Sequence, residues 1–291
     1  MVERLERVTS RQNAIVKRFR DLARDSRAAA PVGRTAPHGA GGHAGEILLD
    51  GEHLVQEALA CDIPVELAAF SDRQVGNVLS PLARLAKDVR KHGGRAILVT
   101  EEVLAAISPV QHPSGVVAIG RARATDVRVV FAACRDAGPH LPLVIVLAGL
   151  QDPGNVGAIV RAAAAFGAAG VVAIEGTANP FSWKALRGAM GGTFRLPIAA
   201  RGTASDVITA AQEEGVRIVP AVPRGGTPLP QLDFTLPTAI VVGGEGAGVS
   251  TAILAAAQQS VTIPMRAPVE SLNVAVAAAL VLYEAARQTD S

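Results

Sequence analysis

Three stretches of this 291-residue sequence set polar residues that could do chemistry beside apolar segments that could hold them still. The first, AGLQDPGNVGAIVRAA over 148–163, has Pro153 and Gly154 to set a turn and Asn155 placed to cap a helix. Arg161 follows among Ala, Ile and Val; such an arginine either points at solvent or is held for an anion, and spacing alone favours solvent. The second, VVGGEGAGVS over 241–250, places glycine at 243, 244, 246 and 248, which lets the backbone approach a ligand closely. Glu245 in isolation reads as a solvated loop acid and Ser250 as a helix cap. The glycine spacing is not that of a dinucleotide fingerprint, and the Lys-Ser/Thr pair of a P-loop is missing. The third stretch spans 264–287, where Glu270, Ser271 and Asn273 run into a helix apolar on almost every face. Such a helix is expected to be buried, holding the polar loop at the edge of a rigid core. Taken singly, each loop needs no more than a turn and a cap to explain it.

The elements around these loops alternate. Strands are expected at 144–147, 171–174, 217–220, 239–242 and 261–263. Helices are expected at 156–166, 183–190, 204–214, 251–257 and 274–287. This rhythm predicts a mostly parallel sheet with helices on both faces over 143–291, and ligands of such sheets bind at the carboxyl ends of the strands. Before it, 46–121 reads as a small α/β domain with strands at 47–49, 65–70, 96–99 and 116–119, and helices at 53–60, 79–91 and 102–107. Residues 1–45 read as a basic helix over 9–24 and an Ala, Gly and Pro-rich flexible loop over 28–45, and 122–142 as a linker region. Within that linker 127–134 fits a strand or a helical turn, and the pattern does not decide.

Net charge is only +2, but residues 1–34 hold nine Lys or Arg against four acids, a local basic patch. Of 28 basic residues only Lys17, Lys87, Lys91 and Lys184 are lysine; the arginine excess suits phosphate, whose oxygens the planar fork meets in pairs. Cys61 and Cys134 lack metal-ligand or disulfide-framework spacing, so no metal is expected. The charged N-terminus and short apolar runs give neither a signal peptide nor a membrane span, and a cytoplasmic protein is expected.

Together, in this order, DPGNVGAIVRAA, IVVGGEGAGVS and IPMRAPVESLNVAVAAALVLYEA resemble the three signature motifs of the SpoU (TrmH-like) branch of the SPOUT RNA methyltransferases. TSRQNAIVKRF and ILLDGEHLVQEAL look like the ribosomal-protein-like RNA-binding domain that precedes many of these enzymes. The resemblance implies an α/β fold whose C-terminal domain is a deep trefoil knot, homodimers, RNA as partner and S-adenosyl-L-methionine as cofactor. It assigns cofactor binding to Gly243, Gly244, Gly246, Ile263, Met265 and Leu272, and catalytic roles to Arg161, Asn155, Glu245, Ser271 and Asn273. The implied reaction is methyl transfer to a ribose 2′-hydroxyl, with large-subunit (23S) rRNA as first expectation. Transfer RNA, an antibiotic-resistance rRNA site, and a non-catalytic RNA-binding or assembly role are the alternatives. One departure is Ala189, where many relatives carry serine.

Overall fold

The structure is a computed structural model that describes residues 5–25, 45–75, 80–122, 124–138, 140–244 and 248–289. Packing divides these into two compact units, one made of residues up to 122 together with 181–194, the other of 124–180 together with 195–289. Most of the expected 28–45 loop lies outside the described residues.

The first unit runs β1 (Glu6–Val8), α1 (Ala14–Asp25), β2 (Gly45–Asp50), α2 (Glu52–Ala60), β3 (Val65–Ser71), α3 (Asp72–Val75), α4 (Pro81–Lys91), β4 (Arg95–Val99), α5 (Glu101–Ile107) and β5 (Val116–Ala122). Its sheet order is β1-β4-β3-β5-β2, with β1, β4 and β3 parallel and β5 antiparallel to both β3 and β2. Alternate residues of each strand face opposite sides, as strand geometry requires. Leu48, Leu67, Ala69, Ile97 and Ile119 pack with α1 and α5, whereas Leu49, Ala68, Phe70, Ala96 and Ala118 pack with α2 and α4. Helix starts follow side-chain caps: Ser80 accepts from Ala83 N (3.1 Å) ahead of Pro81, and Thr100 accepts from Val103 N (3.4 Å).

The chain continues through α6 (Val127–Arg135), β6 (Leu141–Ala148), α7 (Pro153–Ala165), β7 (Ala168–Ile174), α8 (Trp183–Ala189), β8 (Ile198–Gly202), α9 (Ala204–Glu214), β9 (Arg217–Pro220), β10 (Thr227–Pro228), β11 (Thr238–Gly243), α10 (Thr251–Ala256), β12 (Val261–Thr262) and α11 (Val274–Thr289). All of these belong to the second unit except α8, which packs in the first. The main sheet is parallel, in the order β8-β7-β6-β11-β9. From β6 the chain moves outward to β7 and β8, and β11 later returns to β6's other side. The switch point therefore lies between β6 and β11.

Two expectations are corrected here. The stretch read as a linker holds a core helix: Asp126 caps α6 by accepting from Arg128 N (2.9 Å), and Val127, Val130, Phe131 and Cys134 are buried with β6, β7 and α9. Nor is α11 buried on every face. It packs on α7, β6 and β11 through Ala278, Val281, Leu282 and Ala285, but leaves Val276, Leu280 and Tyr283 exposed at 49%, 39% and 55%.

Candidate active site

The three loops singled out in the sequence meet at the carboxyl end of the second unit's sheet. β6 and β11 run in register from Leu143 beside Thr238 to Ala148 beside Gly243, so their following loops leave the sheet side by side. Gly244 N donates to Ala148 O (2.9 Å), and a Cβ on Gly244 would lie 2.3 Å from Gly149 O. A Cβ on Gly243 would lie 2.7 Å from the carbonyl carbon of Gly248. These glycines are thus required first by one backbone crossing another, before any ligand is considered. Thr177, which the sequence reading passed over, fixes the end of β6: its hydroxyl donates to Leu147 O (2.9 Å) and accepts from Gly149 N (3.0 Å). Next to it Ala178 N donates to Leu150 O (2.7 Å). A lone threonine between two elements carries no periodicity by which it could have been found.

The cap of α7 is Asp152, which accepts from Gly154 N (2.9 Å) with Pro153 in the first turn, and not Asn155 as expected. Freed from capping, Asn155 Oδ1 accepts from Asn273 Nδ2 (3.2 Å). Asn273 does cap its own helix: Oδ1 accepts from Ala275 N (2.9 Å) and Val276 N (3.4 Å). One side chain thereby ends the third loop, starts α11 and ties both to α7. Arg161 lies about two turns further along α7, exposed, and among the described residues its side chain makes no hydrogen bond or ion pair.

The third loop enters along the edge of the sheet. β12 pairs with β10, Val222 N donates to Val261 O (2.8 Å) and Thr262 Oγ1 to Pro223 O (3.0 Å). Ile263 and Met265 beyond it are half-buried, and Ser271, Leu272 and Asn273 are exposed. Glu270 faces Arg224 at 3.6 Å, with both side chains mostly in solvent, a pairing worth little. Glu245 and Gly246 lie outside the described residues. Ser250 caps α10 by accepting from Ile253 N (3.4 Å).

At the far end of α11 Glu284 accepts from Arg287 Nε (2.9 Å) and Nη2 (2.7 Å) and from Gln288 Nε2 (2.9 Å). These donors, Arg287 first, hold its carboxyl down at about 2. Gln288 also accepts from Phe234 N (3.0 Å) and donates to Leu232 O (3.0 Å), pinning α11 to the segment before β11.

The sequence profile of the SpoU rRNA Methylase family matches residues 142–283, and that of the MRM3-like substrate binding domain matches 42–118. The chain is 33% identical to an uncharacterised tRNA/rRNA methyltransferase of Synechocystis sp., over 97% of this chain and 93% of that one. It is 31% identical to the 23S rRNA (guanosine(2553)-2′-O)-methyltransferase RlmP of Bacillus subtilis, over 81% and 86% of the two chains. Among solved structures, the AdoMet-bound rRNA methyltransferase of Sinorhizobium meliloti superposes with a TM-score of 0.77 at 28% identity, over 97% and 98% of the chains. The SpoU methyltransferase AviRb of Streptomyces viridochromogenes, in complex with AdoMet, gives 0.74 at 25%, over 96% and 99%. An α/β parallel sheet with these three loops, matched over nearly its whole length by such enzymes, belongs to the SpoU family of S-adenosylmethionine-dependent RNA methyltransferases.

Proposed function

We propose that this chain transfers a methyl group from S-adenosylmethionine to a ribose 2′-hydroxyl of large-subunit ribosomal RNA. The observation that carries the site assignment is the Asn155 to Asn273 hydrogen bond, which joins the first and third loops beside the switch point. The residues present fit the cofactor. Backbone groups at Gly243 and Gly244, the half-buried Ile263 and Met265, and the exposed apolar Leu272 offer an adenine-sized moiety hydrogen-bonding backbone and apolar surface. When bound, S-adenosylmethionine supplies a methyl group made electrophilic by its sulfonium.

The chain's own residues then have to present a hydroxyl in line and dispose of its proton. Arg161, exposed on α7, is the group for a phosphate of the target nucleotide, which it grips by paired N–H donors. It does not act as the base, because a guanidinium pKa above about 12 makes proton loss too costly; the proton passes to an RNA phosphate or to water. Catalytic roles for Glu245, Ser271 and Asn273 are what the family resemblance implies. The 143–291 region forms the family's trefoil knot, and β11 returning beside β6 fits such a path.

The active unit is a homodimer in the cytoplasm. Val276, Leu280 and Tyr283 recur at helical spacing on the open side of α11, and Tyr283 stands edge-on to Phe166, with ring centroids 6.1 Å apart at 74°. A second copy covering this stripe would place the two α11 helices across a two-fold axis.

The deciding experiment maps ribose 2′-O-methylation in RNA from cells with and without the protein. The reading expects one or a few sites in large-subunit rRNA to vanish. Loss confined to tRNA would reassign the substrate, and an unchanged map would overturn the proposal.

A further inference from the structure

Glu270 immediately precedes Ser271 in the third loop, yet the proposed reaction has no use for it or for the arginine it faces. That arginine, Arg224, sits on the turn after β9. β9 pairs with β11 as far as Pro220 beside Val241, so the turn leaves the parallel sheet at its carboxyl end, as the candidate site's own loops do. Hydrogen bonds pin the turn on both sides. Ala221 N donates to Val241 O (2.9 Å), Val222 N to Val261 O (2.8 Å) and Thr262 Oγ1 to Pro223 O (3.0 Å). After the arginine, Gly225 takes a φ of +80°, a Cβ on Gly226 would lie 2.7 Å from the carbonyl carbon of Val261, and Thr227 N donates to Ser260 O (2.8 Å). The backbone under Arg224 is therefore fixed, while its side chain is 78% exposed.

The loop opposite is open. Every residue from Arg266 to Asn273 is exposed, and Glu270, 82% exposed, reaches Arg224 only at 3.6 Å. An ion pair this long and this wet contributes little, so replacing the anion at Arg224 by another costs little. A carboxylate and a phosphodiester offer a guanidinium the same thing, two neighbouring oxygens that accept from its paired N–H donors.

We infer that Arg224 is a contact for a backbone phosphate of the RNA substrate, and that Glu270 stands in for that phosphate while RNA is absent. The inference rests on the function proposed above. When RNA binds, the phosphate takes the guanidinium and Glu270 is released to water, with no covalent bond changed. Glu270 lies three residues before Asn273, so the phosphate is held against the loop that starts α11. The two side chains thereby act on RNA affinity with opposite signs, the arginine for it and the carboxylate against it. A pair that only braced the loop would act with one sign, since losing either partner loosens the same loop.

The test measures binding of the full chain to rRNA purified from cells lacking it, over a range of salt, with S-adenosylmethionine affinity read by calorimetry on the same samples. Arg224→Gln is expected to weaken RNA binding about threefold to tenfold and to reduce the slope of log affinity against log salt by about 0.7–0.9, the share of one phosphate. Glu270→Gln should strengthen binding about twofold or more. In the Arg224→Gln background the Glu270 change should have no effect beyond about 1.5-fold, whereas in Arg266→Gln, on the same open loop, it should act in full. The inference fails if both single variants weaken RNA and S-adenosylmethionine binding together, which is the behaviour of a brace. It fails equally if Glu270→Gln acts alike with and without Arg224, a general effect of charge, or if Arg224→Gln binds RNA as wild type does. Wild-type protein that binds this RNA but methylates no ribose in it would remove the proposed function and leave the contact standing; wild-type protein that binds no RNA would remove both.

Discussion

The side-chain amide of Asn273 donates to that of Asn155 across 118 residues of sequence, and the same Asn273 caps the helix that follows it. The two partners have unequal structural duties, which separates function from stability. Asn273→Ala removes a cap and should cost about 1 kcal/mol of stability together with most of the activity. Asn155→Ala leaves the α7 cap at Asp152 intact, so it should lose activity with little change in unfolding midpoint. Denaturant melts and methyl-transfer rates on both variants check this contrast.

Arg161→Lys keeps a positive charge but loses the paired, planar donors. RNA binding is expected to stay within about threefold, with turnover falling roughly 10²-fold as the hydroxyl loses its alignment. Wild-type turnover in this variant would exclude a special role for the guanidinium.

Gly244→Ala drives a Cβ to 2.3 Å from Gly149 O, backbone against backbone, so the β6 and β11 loops must separate. Cofactor binding and stability should fall together. At Gly149, where φ is +71° and nothing lies within 4 Å of a Cβ, alanine should cost only the left-handed penalty of about 1–2 kcal/mol. Calorimetry with S-adenosylmethionine on both variants reads the difference.

Leu280→Lys places a charge in the centre of the exposed α11 stripe, 39% exposed in the single chain. If that stripe is the dimer surface, sedimentation should move from dimer to monomer while the monomer's secondary structure is retained.

Glu284 titrates at about 2 in the folded chain against an ordinary 4.5, because Arg287 and then Gln288 bond its charged form. Its contribution is therefore complete above pH 4.5 and is lost as pH falls toward 2. Glu284→Gln should lower the melting temperature at pH 7, where that contribution is complete, and flatten its dependence on pH within the window, so that the two curves converge toward pH 2. Melting curves at half-unit pH steps provide the measurement.

The parallel sheet and its loops were legible because Val, Ile and Ala runs bounded by Gly and Pro specify buried strands directly. α11 shows where that reading stops. Val276, Leu280 and Tyr283 are as apolar as the residues that face α7, and composition cannot say whether an apolar face meets its own chain or another. α6 was undecided because the run from Val127 to Phe131 suits either period, and Asp126 settles it by capping. β1 and β8 were missed: the first has three residues, and the second, IAARG, ends on a half-exposed edge. In the site, Asn273 as a cap was readable locally. Its pairing with Asn155, and the service of Thr177 to a distant segment, depend on contacts that no local pattern encodes.

The return of α11 to β6 and α7 also fixes when the site can exist. At a synthesis rate of about 5–20 residues per second, the 118 residues between Asn155 and Asn273 take roughly 6–24 s to emerge. Throughout that interval Asn155 and the first loop are made but have no third loop to meet. A nascent chain can therefore join its first and third loops only after Asn273 has emerged, however early the first loop is made.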